Sequence, residues 1–162
     1  MERYADAARG VKHLLLIWHS QSGHTRQLAD AAAQGIRELA DEVELRMLRA
    51  ADAGLDDLLW ADGVVLATPE NFGYMSGMLK DFMDRTYYPA EGKTIGLPYA
   101  VLISCDNDGS GAVRAIERIA TGYGWKAVAE PLISRGGIAP GALDQARELG
   151  QTIAAGLSMG LF

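Results

Sequence analysis

Short apolar runs alternate along this chain with longer stretches in which apolar residues return every three or four positions. Side chains of a strand point to opposite faces in turn, whereas a helix returns to one face about every 3.6 residues, so the alternation predicts repeated strand, helix, strand units. Strands are expected at Lys12 to Trp18, Glu42 to Leu48, Gly63 to Ala67, Tyr99 to Ser104 and Lys126 to Ile133. A helix is expected from near Gly23 to Ala40, with Leu28, Ala32, Gly35, Ile36 and Leu39 on one face. After the third strand, Met78, Leu79, Phe82, Met83 and Thr86 share a side opposite Lys80, Asp81 and Asp84. Two further helices follow from Val113, Ile116, Ile119 and Ala120 and from Leu143, Ala146, Leu149, Ile153 and Leu157, while Leu55, Leu58 and Leu59 predict a short one.

The same pattern predicts strand order. Inner strands of a parallel sheet are covered on both faces and read as unbroken apolar runs. Leu14 to Trp18, Val64 to Ala67 and Ala100 to Ile103 are of this kind, but the second strand alternates Val43, Glu44, Leu45, Arg46 and Met47. The fifth carries Glu130 and Pro131, and a proline that donates nothing to a ladder belongs at an edge. The expected architecture is therefore a doubly wound, three-layer α/β fold around a five-stranded parallel sheet of order 2-1-3-4-5. In that order a crevice opens at the carboxyl ends of the first and third strands, where function is expected.

Three loops converge on that crevice. His19, Ser20, Gln21, Ser22, Gly23, His24 and Thr25 lie between a buried strand and a helix start, where free amides and the helix dipole attract an anion. The hydroxyls of Ser20, Ser22 and Thr25 each have a proton to donate to a phosphate oxygen; Ser22 serves equally well as an ordinary helix cap. No phosphate-binding lysine or spaced glycine fingerprint is present, so a single terminal phosphate is the better fit. The second loop, Thr68 to Met75, offers the amide of Asn71 and the rings of Phe72 and Tyr74 around Gly73; two core aromatics beside a turn glycine is the other reading. The third, Cys105 to Gly111, is small and polar, with Asp108 open to a capping role.

Composition narrows the choice of partners. The 162 residues suit one domain, 1–162, whose first ten, Met1 to Gly10, are expected to form a flexible extension. An excess of 21 acidic over 15 basic residues gives a net charge of −6, which repels nucleic acid and anionic lipid alike. The early run Leu14 to Trp18 is far shorter than the roughly 20 residues that cross a bilayer. The one cysteine, Cys105, reads as a small buried filler and suits a reducing cytoplasm. His13, His19 and His24 lack companions at metal-ligand spacing, so no metal is expected.

The run Ser20, Gln21, Ser22, Gly23, His24, Thr25 resembles the phosphate loop of flavodoxins, rich in hydroxyls and ending in Gly, any residue, Thr. The stretch TPENFGYMSGMLKDFMDRTYY, Thr68 to Tyr88, is similar to the flavin-contacting loop and helix of NAD(P)H-dependent FMN reductases and NAD(P)H:quinone oxidoreductase-type flavoproteins. The resemblance covers nearly the whole chain from Lys12 and implies a flavodoxin-like fold with FMN as cofactor. It implies that Ser20 to Thr25, Gln21 included, hold the phosphate. Pro69, Glu70, Asn71, Phe72 and Gly73 would line the isoalloxazine, with Asp106 and Gly111 at its pyrimidine side and the Gly73 backbone near N5.

The expected activity is an FMN-dependent oxidoreductase that takes a hydride from NAD(P)H as co-substrate and passes electrons to a quinone, flavin or similar small-molecule acceptor. The flavin performs the chemistry, so no catalytic side chain is assigned. The alternative is a flavodoxin, a single-electron carrier; the mild acidity and the missing tyrosine of the third loop argue against it. A phosphorylatable receiver domain would need acids where Trp18, His19, Thr68 and Pro69 stand. The resemblance also implies a homodimer or homotetramer in which a neighbour completes the pocket, with Phe82, Tyr87 and Tyr88 as candidate contacts.

Overall fold

The computed structural model describes residues 10–162, so the extension expected over Met1 to Gly10 lies, but for Gly10, outside the described residues. In chain order these are β1 (Lys12–Trp18), α1 (His24–Arg37), β2 (Val43–Arg49), α2 (Leu55–Trp60), β3 (Gly63–Asn71) and β4 (Tyr74–Met75). They continue as α3 (Gly77–Ala90), β5 (Pro98–Cys105), α4 (Ser110–Tyr123), β6 (Lys126–Ala127), β7 (Leu132–Arg135) and α5 (Ala142–Ser158). The parallel sheet runs β2-β1-β3-β5-β6, with β7 also paired to β5, which is the expected α/β order.

Two features of the sheet differ from expectation. The fifth strand is two short segments, because Pro131 has no amide proton to offer β5 and the chain leaves the ladder around it. The segment expected as a loop from Thr68 is instead a continuation of β3 to Asn71, which turns back as the antiparallel β4. Asn71 pairs with Tyr74, leaving Phe72 and Gly73 as a two-residue turn, and both have positive φ, +52° and +73°. That is the signature of a type I′ hairpin, whose twist matches that of its strands. The hairpin's base is closed by the Ser76 amide donating to Thr68 Oγ1, and Ser76 Oγ in turn caps α3 by accepting from the Leu79 amide.

Apolar faces fill two layers of core, one on each side of the sheet. On one side α1 and α5 cover Leu14, Leu16, Val65 and Leu102; on the other α2, α3 and α4 cover Leu15, Ile17, Leu66 and Ile103. Each such fully buried aliphatic side chain contributes about 1.5–3 kcal/mol relative to exposure. Phe82, expected at a subunit surface, is wholly buried in the second layer, since it lies on the α3 stripe that faces the sheet, whereas Tyr88 is exposed. Helices α1 and α5 touch through glycines: a Cβ on Gly35 would stand 2.0 Å from the Arg147 carbonyl oxygen, and one on Gly150 would stand 2.1 Å from that of Ala32. No helix among the described residues is long and apolar enough to cross a membrane.

Candidate functional site

In a parallel sheet every strand delivers its carboxyl end to the same edge, and there the loops after β1, β3, β5 and β7 meet around a cleft of about 270 Å³. Gln21, Ser22 and His24 come from the first loop, Pro69, Glu70 and Asn71 from the hairpin, and Asp106 from the third loop. Seven of the residues singled out in the sequence are thus brought together.

The first loop is shaped by its small residues. Ser20 Oγ accepts from the Gly23 amide at 3.1 Å, folding the loop on itself, and Gly23 takes φ +94° to begin α1. No side chain caps this helix, so Ser22 does not play the capping role; its exposed hydroxyl bonds to His24 Nδ1 at 3.0 Å instead. Thr25 stands apart from the cleft: it is buried, and its hydroxyl shares a 2.7 Å hydrogen bond with Ser104 of β5, pinning α1 to the sheet. Burial lowers the pKa of His19 below its ordinary value, favouring the neutral ring beside the loop.

Glu70 has a second task. Its Oε2 accepts from the Ala112 amide at 3.1 Å, so the hairpin supplies a carboxylate to the start of α4, whose own N-cap, Gly109, has no side chain. Asp108 hydrogen-bonds the Ser110 amide and hydroxyl, which hold its carboxyl below the usual range. Gly111 lies outside the cleft and lets the hairpin tip approach: a Cβ there would sit 2.0 Å from the Gly73 carbonyl oxygen. Phe72, at the tip, is fully exposed and lines no wall of the cleft.

Cys105, from the third loop, also lines the cleft, and so do Ser104 and Gly137, which were not expected there. Gly137 belongs to the turn after β7, where Ser134 Oγ donates to its carbonyl at 2.7 Å; a Cβ on it would meet the His24 ring at 3.0 Å. The signal was available, for the glycine-rich turn follows a strand of the same parallel sheet and so had to emerge at the same edge. Burial first, then Glu70, pushes the Cys105 thiol up, which leaves it protonated and a poor nucleophile. Among the described residues no three His, Cys, Asp or Glu side chains gather as a metal site.

An acid-lined cleft with an uncapped helix start, at the strand-order reversal of a 2-1-3-4-5 sheet, defines a doubly wound α/β protein with its crevice where open sheets of this class take their ligands. Residues 50–134, more than half of the chain, match the family described as NADPH-dependent FMN reductase, and the chain belongs to that family. An NAD(P)H dehydrogenase (quinone) of Acidithiobacillus ferrooxidans is 31% identical over 114 residues, 58% of this chain and 57% of that one. A flavodoxin of Aquifex aeolicus is 35% identical over 71 residues, 44% of this chain and 38% of that one. The chain spans about half the length of the curated relatives it matches. Among solved structures, an archaeal flavodoxin superposes with a TM-score of 0.76 at 20% identity, covering 90% of this chain and 98% of that one. A flavodoxin, WrbA-like protein from Agrobacterium tumefaciens gives 0.72 at 21%, covering 91% and 98%. At these identities the two structures speak for the flavodoxin-like fold alone.

Proposed function

We propose that this chain binds FMN in the cleft and works as an oxidoreductase of the cytoplasm, moving electrons from NAD(P)H to a quinone-type acceptor. The observation that carries the reading is the convergence of an uncapped helix start with the Asn71 hairpin and the Asp106 loop on one cleft. The residues fit the cofactor: Gly23 leaves the loop open, with nothing within 4 Å of where its Cβ would stand, so a phosphate has room over the α1 amides. Ser20, Gln21, Ser22 and His24 would hold that phosphate from the loop, with Gly23 keeping it clear and Thr25 fixing the helix beneath.

Pro69, Glu70 and Asn71 would line the ring system, Asn71 supplying an amide donor and acceptor to its polar edge, with Asp106 from the third loop and the Gly73 backbone beyond them at the hairpin tip. A flavin held there supplies hydride acceptance and the return of electrons singly or in pairs, so the chain needs no acid or base of its own. The small, polar third loop leaves the outer side of the cleft open to a second molecule. A buried, protonated Cys105 suits a reducing compartment.

The test is direct. Purified protein should be yellow or take up added FMN stoichiometrically, and the loaded protein should oxidise NADPH with a quinone present. Colourless protein that ignores FMN in calorimetry overturns the reading. A loaded protein that stabilises a semiquinone but is not reduced by pyridine nucleotide would instead be a single-electron carrier.

A further inference from the structure

A second cavity, of about 710 Å³, runs between α3 and α4 and opens at the hairpin, where Gly73 and Tyr74 meet Gly111. The same hairpin therefore walls the cleft with Asn71 and the mouth of this groove with Tyr74. The groove's floor is apolar, from Met83, Ala115 and Ile119, and one wall carries the rings of Tyr87 and Tyr88, the latter 78% exposed. The other wall carries two guanidinium groups one turn apart on α4, Arg114 and Arg118.

The charges of this groove are unbalanced. Lys80 is neutralised by Asp84 at 2.6 Å along α3, so the acid within the groove is already paired. Arg114 donates to the Ser110 hydroxyl at 3.4 Å and feels the Asp108 carboxylate from beyond it, but neither arginine has a carboxylate within ion-pair distance among the described residues. Glu117, the acid of the same helix, faces a different cavity. A chain of net charge −6 thus concentrates two unpaired cations beside exposed aromatic faces, in a slot that opens next to the cleft. Guanidinium forks pair with phosphate oxygens and tyrosine rings accept a stacked base, so the groove's chemistry is that of a site for a nucleotide.

We infer that the groove holds the adenosine and phosphate half of the nicotinamide dinucleotide, with Arg114 and Arg118 on its phosphates and Tyr87 or Tyr88 against its adenine. This donor subsite rests on the oxidoreductase reading. The occupant's two ends match the groove's two ends: phosphates and a flat base along α3 and α4, the redox-active ring at the Gly73 mouth.

The experiment uses FMN-loaded protein and two donors, NADPH and 1-benzyl-1,4-dihydronicotinamide, which lacks phosphates and adenosine. In Arg118→Glu the Kd for NADP⁺, read by calorimetry without turnover, should rise at least about tenfold, the loss expected for a charged hydrogen bond. The KM for NADPH should rise in step while kcat changes little, FMN affinity should hold, and the phosphate-free donor should reduce the variant as it reduces the wild type. Arg118→Lys should restore most of the NADP⁺ affinity. An unchanged NADP⁺ Kd in Arg118→Glu overturns the groove assignment, as does a change in oligomeric state with no change in Kd. Reduction of the wild type by neither donor overturns the oxidoreductase reading itself.

Discussion

Phe72 holds φ +52° with its whole side chain in solvent, so it bears the strain of the left-handed region and gains no burial in return. That strain is about 1–2 kcal/mol for an L residue other than Asn, Asp or Gly. Phe72→Asn should therefore stabilise the fold by about 1 kcal/mol in urea unfolding. The same variant should leave FMN affinity unchanged, because the ring lines no wall of the cleft; weaker FMN binding would show that the hairpin tip folds over the bound ligand. Glu70 offers a second residue-level test. Its charge helps raise the Cys105 thiol pKa, so Glu70→Gln should move the thiolate ultraviolet absorbance to lower pH while the amide still accepts from Ala112. An unmoved titration would mean the carboxylate is screened from the sulfur.

At the level of elements, the contact between hairpin and α4 decides the shape of the cleft. Gly111→Ala puts a methyl 2.0 Å from the Gly73 carbonyl oxygen, so the β3–β4 hairpin must swing away from α4 and the Glu70 cap must lengthen. FMN affinity, read by fluorescence quenching, should fall by about tenfold or more, with a stability loss of roughly 1–3 kcal/mol. Equal affinity in this variant would show that the hairpin adjusts independently of the helix. This element was the least legible in the sequence. β1 is bounded as its apolar run predicts, and the amphipathic helices stand close to their expected places, because burial and periodicity agree there. Pro69, Glu70 and Asn71 look like loop residues, yet Pro69 pairs with Ser104 of β5 and Glu70 and Asn71 pair with Met75 and Tyr74, a tertiary effect that local pattern does not carry. The bond from Thr25 to Ser104 was illegible for a similar reason: the two residues are 79 apart in sequence.

Across the whole molecule, net charge acts on how a ligand arrives. The lining of the cleft includes Glu70 and Asp106 and neither lysine nor arginine, and the chain carries −6 overall, so a doubly charged phosphate ester approaches against the field. The FMN association rate should rise a few-fold as ionic strength increases from low to physiological, where screening acts within about 8 Å. A rate that falls with salt would show that the arginines of the α3–α4 groove steer the encounter. The sheet order was legible at this scale because apolar continuity separates inner from outer strands, and it located the crevice; the fourth loop was overlooked because a glycine-rich turn has no chemistry of its own to announce it. The interruption between β6 and β7 has a consequence for crowded solutions. An unbroken outer strand would present a continuous row of amides and carbonyls on which another molecule's backbone could zip, and Pro131 denies that row its middle, so this side of the protein makes a poor template for fibrous self-association.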